Sequence, residues 1–120
     1  MSEFDASVRV EDEMAVVDLS GIIDGGAEGA LDAAYLASDE ARAGRVGLDF
    51  TRVDYINSTG IALLVALLAK ARRDSRPVTA WGLSDHYREI FEITRLADFL
   101  EVVSDEQTAR ATTGTATGEG

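Results

Sequence analysis

Val53-Asp54-Tyr55-Ile56-Asn57-Ser58-Thr59-Gly60, with the apolar run Ile61 to Ala69 directly behind it, is the stretch on which the fold turns. Upstream lies Arg45-Val46-Gly47-Leu48-Asp49-Phe50, short and largely apolar, as a buried strand is. Downstream, apolar residues recur at helical spacing from about Ser58 to Arg73. A strand therefore hands over to a helix across a loop that carries two hydroxyl residues and a glycine. The first-turn N–H groups of such a helix, together with its dipole, favour negative charge. Ser58 stands where a phosphate could be attached or held.

The rest of the chain extends this strand-to-helix pattern in both directions. Ser7-Val8-Arg9-Val10-Glu11 alternates apolar and polar, and after Asp12-Glu13 the segment Met14 to Leu19 reads as a second strand, paired with the first as an edge hairpin. Ser20 to Gly26 reads as a turn because glycines and an aspartate cluster there. Ala27 to Arg42 carries Leu31, Ala34, Tyr35 and Ala41 at helical spacing and meets a glycine stop at Gly44. Pro77 to Gly82 is a strand with proline at its first position, Asp85 to Ile93 a helix capped by Ser84 or Asp85, Leu96 to Leu100 a short turn, and Glu101 to Val103 a last strand. Strands alternating with helices predict a small α/β fold, a mixed sheet of four to five strands with helices mainly on one face. The expected domain is 1–104; 105–120 is a tail, expected to be disordered beyond about Thr112.

Composition narrows the function classes. The 120 residues hold 11 basic and 22 acidic side chains, a net charge of −11, and no cysteine. Without a basic stripe, nucleic acid is excluded as a partner, and anionic membrane surfaces are unfavourable for the same reason. No apolar run is long enough to span a bilayer and Met1 to Asp5 carries no signal core, so the expected location is cytoplasmic, without membrane insertion. Proteins remain as partners, particularly through basic surfaces.

On the helix after Ser58, spacing at ~100° per residue places Ile61, Leu64, Val65 and Leu68 on one face, expected to pack on the sheet. Leu63, Ala66 and Leu67 fall opposite, where a surface helix would carry charge. An apolar second face beside Ser58 marks a contact site, for a protein partner or for a weak homodimer. Ser58 itself has three readings. It is a helix cap, a role Asn57 fills equally well; a nucleophile, for which the single histidine, His86, lies in another polar segment; or a phosphoacceptor, whose charge beside an apolar patch would switch binding off. The residues do not describe an enzyme, and no cofactor or His/Cys metal cluster is called for.

The run Leu48 to Ile61, ending Ile56-Asn57-Ser58-Thr59-Gly60-Ile61, together with Gly21-Ile22-Ile23-Asp24 and Phe91-Glu92-Ile93-Thr94-Arg95-Leu96, resembles the bacterial anti-sigma-factor antagonists, single STAS domains. The match in spacing runs from the first strand to about Val103. The resemblance implies a protein that binds an anti-sigma factor and so frees a sigma factor. The partner would be a serine kinase of the histidine-kinase-like ATPase type that phosphorylates Ser58 and ends the complex, with a phosphatase reversing the step. Taken with the apolar second face of the helix, this puts the expected contact at Asp24, Asn57, Ser58, Thr59, Gly60, Leu63 and Leu67. Two positions depart from the family pattern: Asn57 replaces an acidic residue, and Arg95 replaces a turn glycine, so a positive φ is not expected there. The alternative is a STAS subunit that is never phosphorylated, a scaffold or an accessory to a membrane lipid transporter.

Overall fold

The computed structural model describes residues 4–111. Five strands, β1 (Phe4–Glu11), β2 (Met14–Ile23), β3 (Arg45–Ile56), β4 (Val78–Trp81) and β5 (Glu101–Val102), form one sheet in the order β1-β2-β3-β4-β5. β1 and β2 pair antiparallel and all later pairs are parallel. Four α-helices are described: α1 (Glu28–Glu40), α2 (Ser58–Arg73), α3 (Asp85–Ile93) and α4 (Glu106–Ala111). The small mixed α/β fold expected from the sequence is the fold observed.

Period-2 alternation gives the sheet two unlike faces. Val17, Leu19, Val46, Leu48, Phe50, Val78 and Ala80 point to one side and pack with Leu31 and Tyr35 of α1, Leu64, Leu67 and Leu68 of α2, and Phe91 of α3. Met14, Val16, Trp81 and Val103 form a smaller cluster with Ala109 of α4. That second cluster was not expected. Residues 106–111, placed in the tail by the sequence reading, form α4, and Ala109 is fully buried. The remainder of the tail, from Thr112, lies outside the described residues.

Several local expectations are corrected. β2 does not stop at Leu19 but runs to Ile23, passing Gly21 at φ 93° beside a register irregularity in its pairing with β3. The glycine that signalled a turn serves a bulge in a continuing strand. β3 likewise continues through Val53 to Ile56, which the sequence read as loop. α1 closes with Arg42 in the left-handed region, φ 60°, so Gly44 is not its stop; in α1's buried stripe Ser38 takes the place expected for Ala41. Arg95 does adopt a positive φ, 68°, in the turn where glycine was missing. Its guanidinium Nε donates to Asp98 at 2.7 Å.

Candidate functional site

The parallel strands β2 and β3 end side by side, and the two connections that leave them meet. Asn57 N–H donates to the Ile23 carbonyl, 3.2 Å, which ties the start of α2 to the end of β2. Asn57 is the N-cap: its Oδ1 accepts the Gly60 N–H at 2.8 Å and its carbonyl accepts the Ile61 N–H at 2.9 Å. Ser58 is thereby the first helical residue rather than the cap, and its side chain is exposed. Its own N–H and that of Thr59 have no carbonyl to reach within the helix, as in any first turn.

Gly60 is the steric hinge of this arrangement. It is buried, and a Cβ at that position would collide with the Ile23 carbonyl oxygen. Only glycine lets α2 start this close to β2. On the facing connection Asp24 Oδ1 accepts the Gly26 N–H at 2.9 Å and caps a single 3₁₀ turn, Gly25–Ala27. A Cβ placed on Gly25 would lie 3.5 Å from the Thr59 methyl, so this turn and the start of α2 touch. The structure thus brings Asp24, Asn57, Ser58, Thr59 and Gly60 together.

Leu67 does not join them. It is buried with Gly60, Leu64, Leu68 and Ala71, and Leu63 is half-buried against the same core. Val65, expected to be buried, is 44% exposed. The solvent face of α2 is instead Ser58, Ala62, Val65, Ala66 and Ala69, an apolar stripe of small side chains starting at Ser58. The expectation of an apolar outward face holds, and Ala66 lies on it as named, but Leu63 and Leu67 give way to Ala62, Val65 and Ala69.

Tyr87 of α3 is a site residue that the sequence reading missed. Its Oη accepts the Ile56 N–H at 2.9 Å, anchoring the last residue of β3 one position before the cap. A tyrosine in a polar helix start carries no signal of that role. His86 beside it is exposed and stacks edge-on to Tyr87, ring centroids 4.9 Å apart. Among the described residues no side chain hydrogen-bonds the Ser58 hydroxyl. The arrangement is a rigid, capped helix start presenting one hydroxyl at the end of an apolar stripe.

Comparison with known proteins defines the class. The family described as Mlab, STAS domain, matches residues 6–103. The chain belongs to the STAS-domain family. It is similar to BtrV of Bordetella bronchiseptica, 29% identical over 105 residues that make up 88% of this chain and 90% of that protein. It is 36% identical over 59 residues to the anti-sigma-B factor antagonist of Listeria monocytogenes, covering 49% of this chain and 52% of that one. An anti-sigma factor antagonist from Mycobacterium paratuberculosis shares the fold with a TM-score of 0.75 at 21% identity, over 89% of this chain and 91% of that one. The Bacillus cell fate determinant SpoIIAA in its phosphorylated form superposes with a TM-score of 0.65 at 18% identity, over 87% and 96% of the two chains. No helix among the described residues is long and apolar enough to cross a membrane.

Proposed function

We propose that this protein is a phosphorylation-switched anti-sigma factor antagonist: it binds an anti-sigma factor that is also a serine kinase, releases the sigma factor held there, and is itself released when Ser58 is phosphorylated. The observation that carries this reading is the exposed Ser58 at the first position of a capped helix whose solvent face is apolar. The helix start tolerates a phosphate, whereas an apolar contact face does not. Asp24, Asn57, Thr59 and Gly60 contribute the rest of the contact with Ala62, Val65 and Ala66. Leu67 is withdrawn from it because it is buried, and Leu63 is kept only as its half-buried edge. The relatives named as anti-sigma factor antagonists support the same reading. A phosphatase resets the switch.

Asn57 favours a second reading. As an amide it caps α2 but supplies no carboxylate beside Ser58. A STAS subunit that is never phosphorylated, a scaffold or a transporter accessory, would need no more than that. Incubation with the purified anti-sigma kinase and ATP, read by intact-mass and fragment spectra, separates the two. Phosphate on Ser58, none on Ser58→Ala, and loss of kinase binding by the phosphoprotein are expected. Faster transfer to Asn57→Asp would show that the amide damps the switch. Phosphate on Thr59, or none on a protein that still binds the kinase tightly, leaves the scaffold reading standing.

A further inference from the structure

The exposed face of α2 does not end where the partner contact around Ser58 ends. Ser58, Ala62, Val65, Ala69 and then Arg72 and Arg73 follow one another at helical spacing along one side, over about 22 Å at 1.5 Å rise per residue. At its C-terminal half this side faces Phe99, from the turn that precedes β5, across a groove of 330 Å³ lined by Val65, Ala69, Arg72, Arg73 and Phe99. Phe99 is 47% exposed, although it is a large aromatic side chain beside a packed core. The Arg72 guanidinium lies over its ring, 5.4 Å from the centroid. A second cavity, of 250 Å³, adjoins the first and shares Arg72 and Phe99 with it.

The charge at this groove is opposite to that of the molecule. The chain carries −11 overall, yet two adjacent cations stand at the groove's end, and neither makes an ion pair among the described residues. Neighbouring basic groups are engaged: Lys70 pairs with Asp32, Arg76 is bound to carbonyls of Ser38 and Ala43, and Arg95 pairs with Asp98. The helix dipole accounts for cations at a C-terminus. It does not account for an exposed aromatic ring and valine held beside them.

We propose that this groove is a second contact of the same anti-sigma partner, one that receives an apolar side chain between Val65 and Phe99 and an acidic group at Arg72 and Arg73. The inference rests on the function proposed above and adds to it the chemistry of the docking segment: apolar, followed by carboxylate. A nucleic acid or anionic lipid would meet the same two arginines but be repelled by the surrounding charge of −11. A protein segment that brings a local negative charge to a local positive one is not repelled to the same degree, because exposed charges are screened within about 10 Å.

The test is calorimetric titration of the purified, unphosphorylated anti-sigma kinase with the wild type, Phe99→Ala, Arg72→Glu/Arg73→Glu, Arg72→Lys/Arg73→Lys and Ser58→Asp, at low and high salt. All the replaced side chains are exposed or partly so, and Trp81 emission verifies that each variant is folded. The glutamate pair is expected to bind at least about tenfold more weakly and to lose most of the salt dependence shown by the wild type. Phe99→Ala is expected to weaken binding, and the lysine pair to retain it. Wild-type affinity in both Phe99→Ala and the glutamate pair, with Ser58→Asp impaired, overturns the groove and leaves the function standing. Self-association abolished by Phe99→Ala with kinase affinity unchanged gives the groove to a second copy and also overturns it. No binding by the wild type overturns both readings.

Discussion

Arg76 carries a guanidinium into a site that is 9% exposed, where its acceptors among the described residues are carbonyls and a hydroxyl. Its Nη2 donates to the Ser38 and Ala43 carbonyls at 3.0 and 2.9 Å, Nη1 donates to the Ser38 hydroxyl at 3.0 Å, and Nε donates to the Ala43 carbonyl at 3.2 Å. The guanidinium also lies over the Tyr35 ring, 5.3 Å from its centroid. The Tyr35 hydroxyl donates to Asp74 at 2.6 Å, and burial first, then this bond, raises its pKa above the usual tyrosine value. One planar fork therefore closes the C-terminal end of α1, where carbonyls have no helical partner, and fastens it to the turn after α2. Arg76→Ala would leave several buried acceptors unsatisfied at about 1–3 kcal/mol each before relaxation or water entry. We expect a loss of about 2–4 kcal/mol in urea unfolding, from the same cause. Arg76→Lys is expected to recover only part of it, because one ammonium cannot span the Ser38 and Ala43 carbonyls together. Full recovery by lysine would show that charge rather than the fork is what matters.

At the scale of elements, α4 is the least expected feature and the most conditional. Six residues do not hold a helix in water by themselves, so α4 depends on what it touches. Ala109 supplies little apolar area. Beside a hydrogen bond from Arg45 Nη1 to the Ala109 carbonyl at 3.3 Å, the remaining attachment is ionic: Arg9 of β1 donates from Nη1 and Nη2 to both Glu106 oxygens at 2.7 Å and from Nε and Nη2 to Asp18 at 2.7 and 3.1 Å, while Arg110 Nε donates to Asp12 at 2.9 Å. The hydrogen bonds from Arg9 hold the Glu106 carboxyl below its usual range. The folded state thus binds that proton more weakly than the unfolded state does. The clasp contributes fully above the ordinary glutamate value of 4.5 and fades as pH falls through the lower folded value. These groups are partly exposed, so the contribution is about 1 kcal/mol or less after screening. Trp81, the chain's one tryptophan, lies buried under α4 and reports on it. Arg9→Gln, or acidification below pH 4.5, is expected to open Trp81 to acrylamide while far-UV dichroism stays native. Unchanged quenching in Arg9→Gln would mean that the Arg9 clasp is dispensable and that Ala109 packing, the Arg110–Asp12 pair and the Arg45 bond to the Ala109 carbonyl retain the helix.

The same scale shows why some elements were legible and others were not. The bounds of α2 and α3 follow from caps that the sequence displays, Asn57 and Ser84, and the alternation of strands with helices suffices for a mixed sheet. The buried face of α2 was read only in part, Leu64 and Leu68 rightly and Val65 wrongly, because its stripe, Gly60, Leu64, Leu67, Leu68 and Ala71, begins and ends in residues of small hydrophobic weight. On a helix that is apolar all round, counting large side chains selects the wrong arc; the close approach of Gly60 to Ile23 is what sets the rotation, and that is a tertiary fact. β2 was cut short because a bulge glycine and a turn glycine look alike. α4 escaped because its sequence, Glu106 to Ala111, is polar at all but its alanines. Of the candidate site, the cluster from Asp24 to Gly60 was readable from the motif, whereas Tyr87 and the true solvent face required the packing.

For the whole molecule, the proposed contact would give the two sides of α2 separate work, so neighbouring positions along it should fail in different ways. Leu67 is 5% exposed against the core formed by the sheet, α1 and α3. An aspartate there would be a buried charge without a partner, costing about 3 kcal/mol or more. Against a stability of about 5–15 kcal/mol for a domain, that is a broad loss of fold and only secondarily a loss of binding. Ala66 is its neighbour in sequence but faces solvent. An aspartate at 66 should change stability by about 0.5 kcal/mol, mostly through helix propensity. It should nevertheless place a charge in the middle of the stripe that runs on from Ser58, and so imitate the effect proposed for phosphate without touching the serine. Urea unfolding and calorimetric titration with the anti-sigma kinase, run on Leu67→Asp and Ala66→Asp in parallel, make the distinction. We expect Leu67→Asp to unfold at much lower urea and Ala66→Asp to unfold near wild type while binding at least about tenfold more weakly. A stable Leu67→Asp that has lost only its partner would return the contact to the face first read from the sequence. An Ala66→Asp that binds like wild type would move the interface off α2's solvent side altogether.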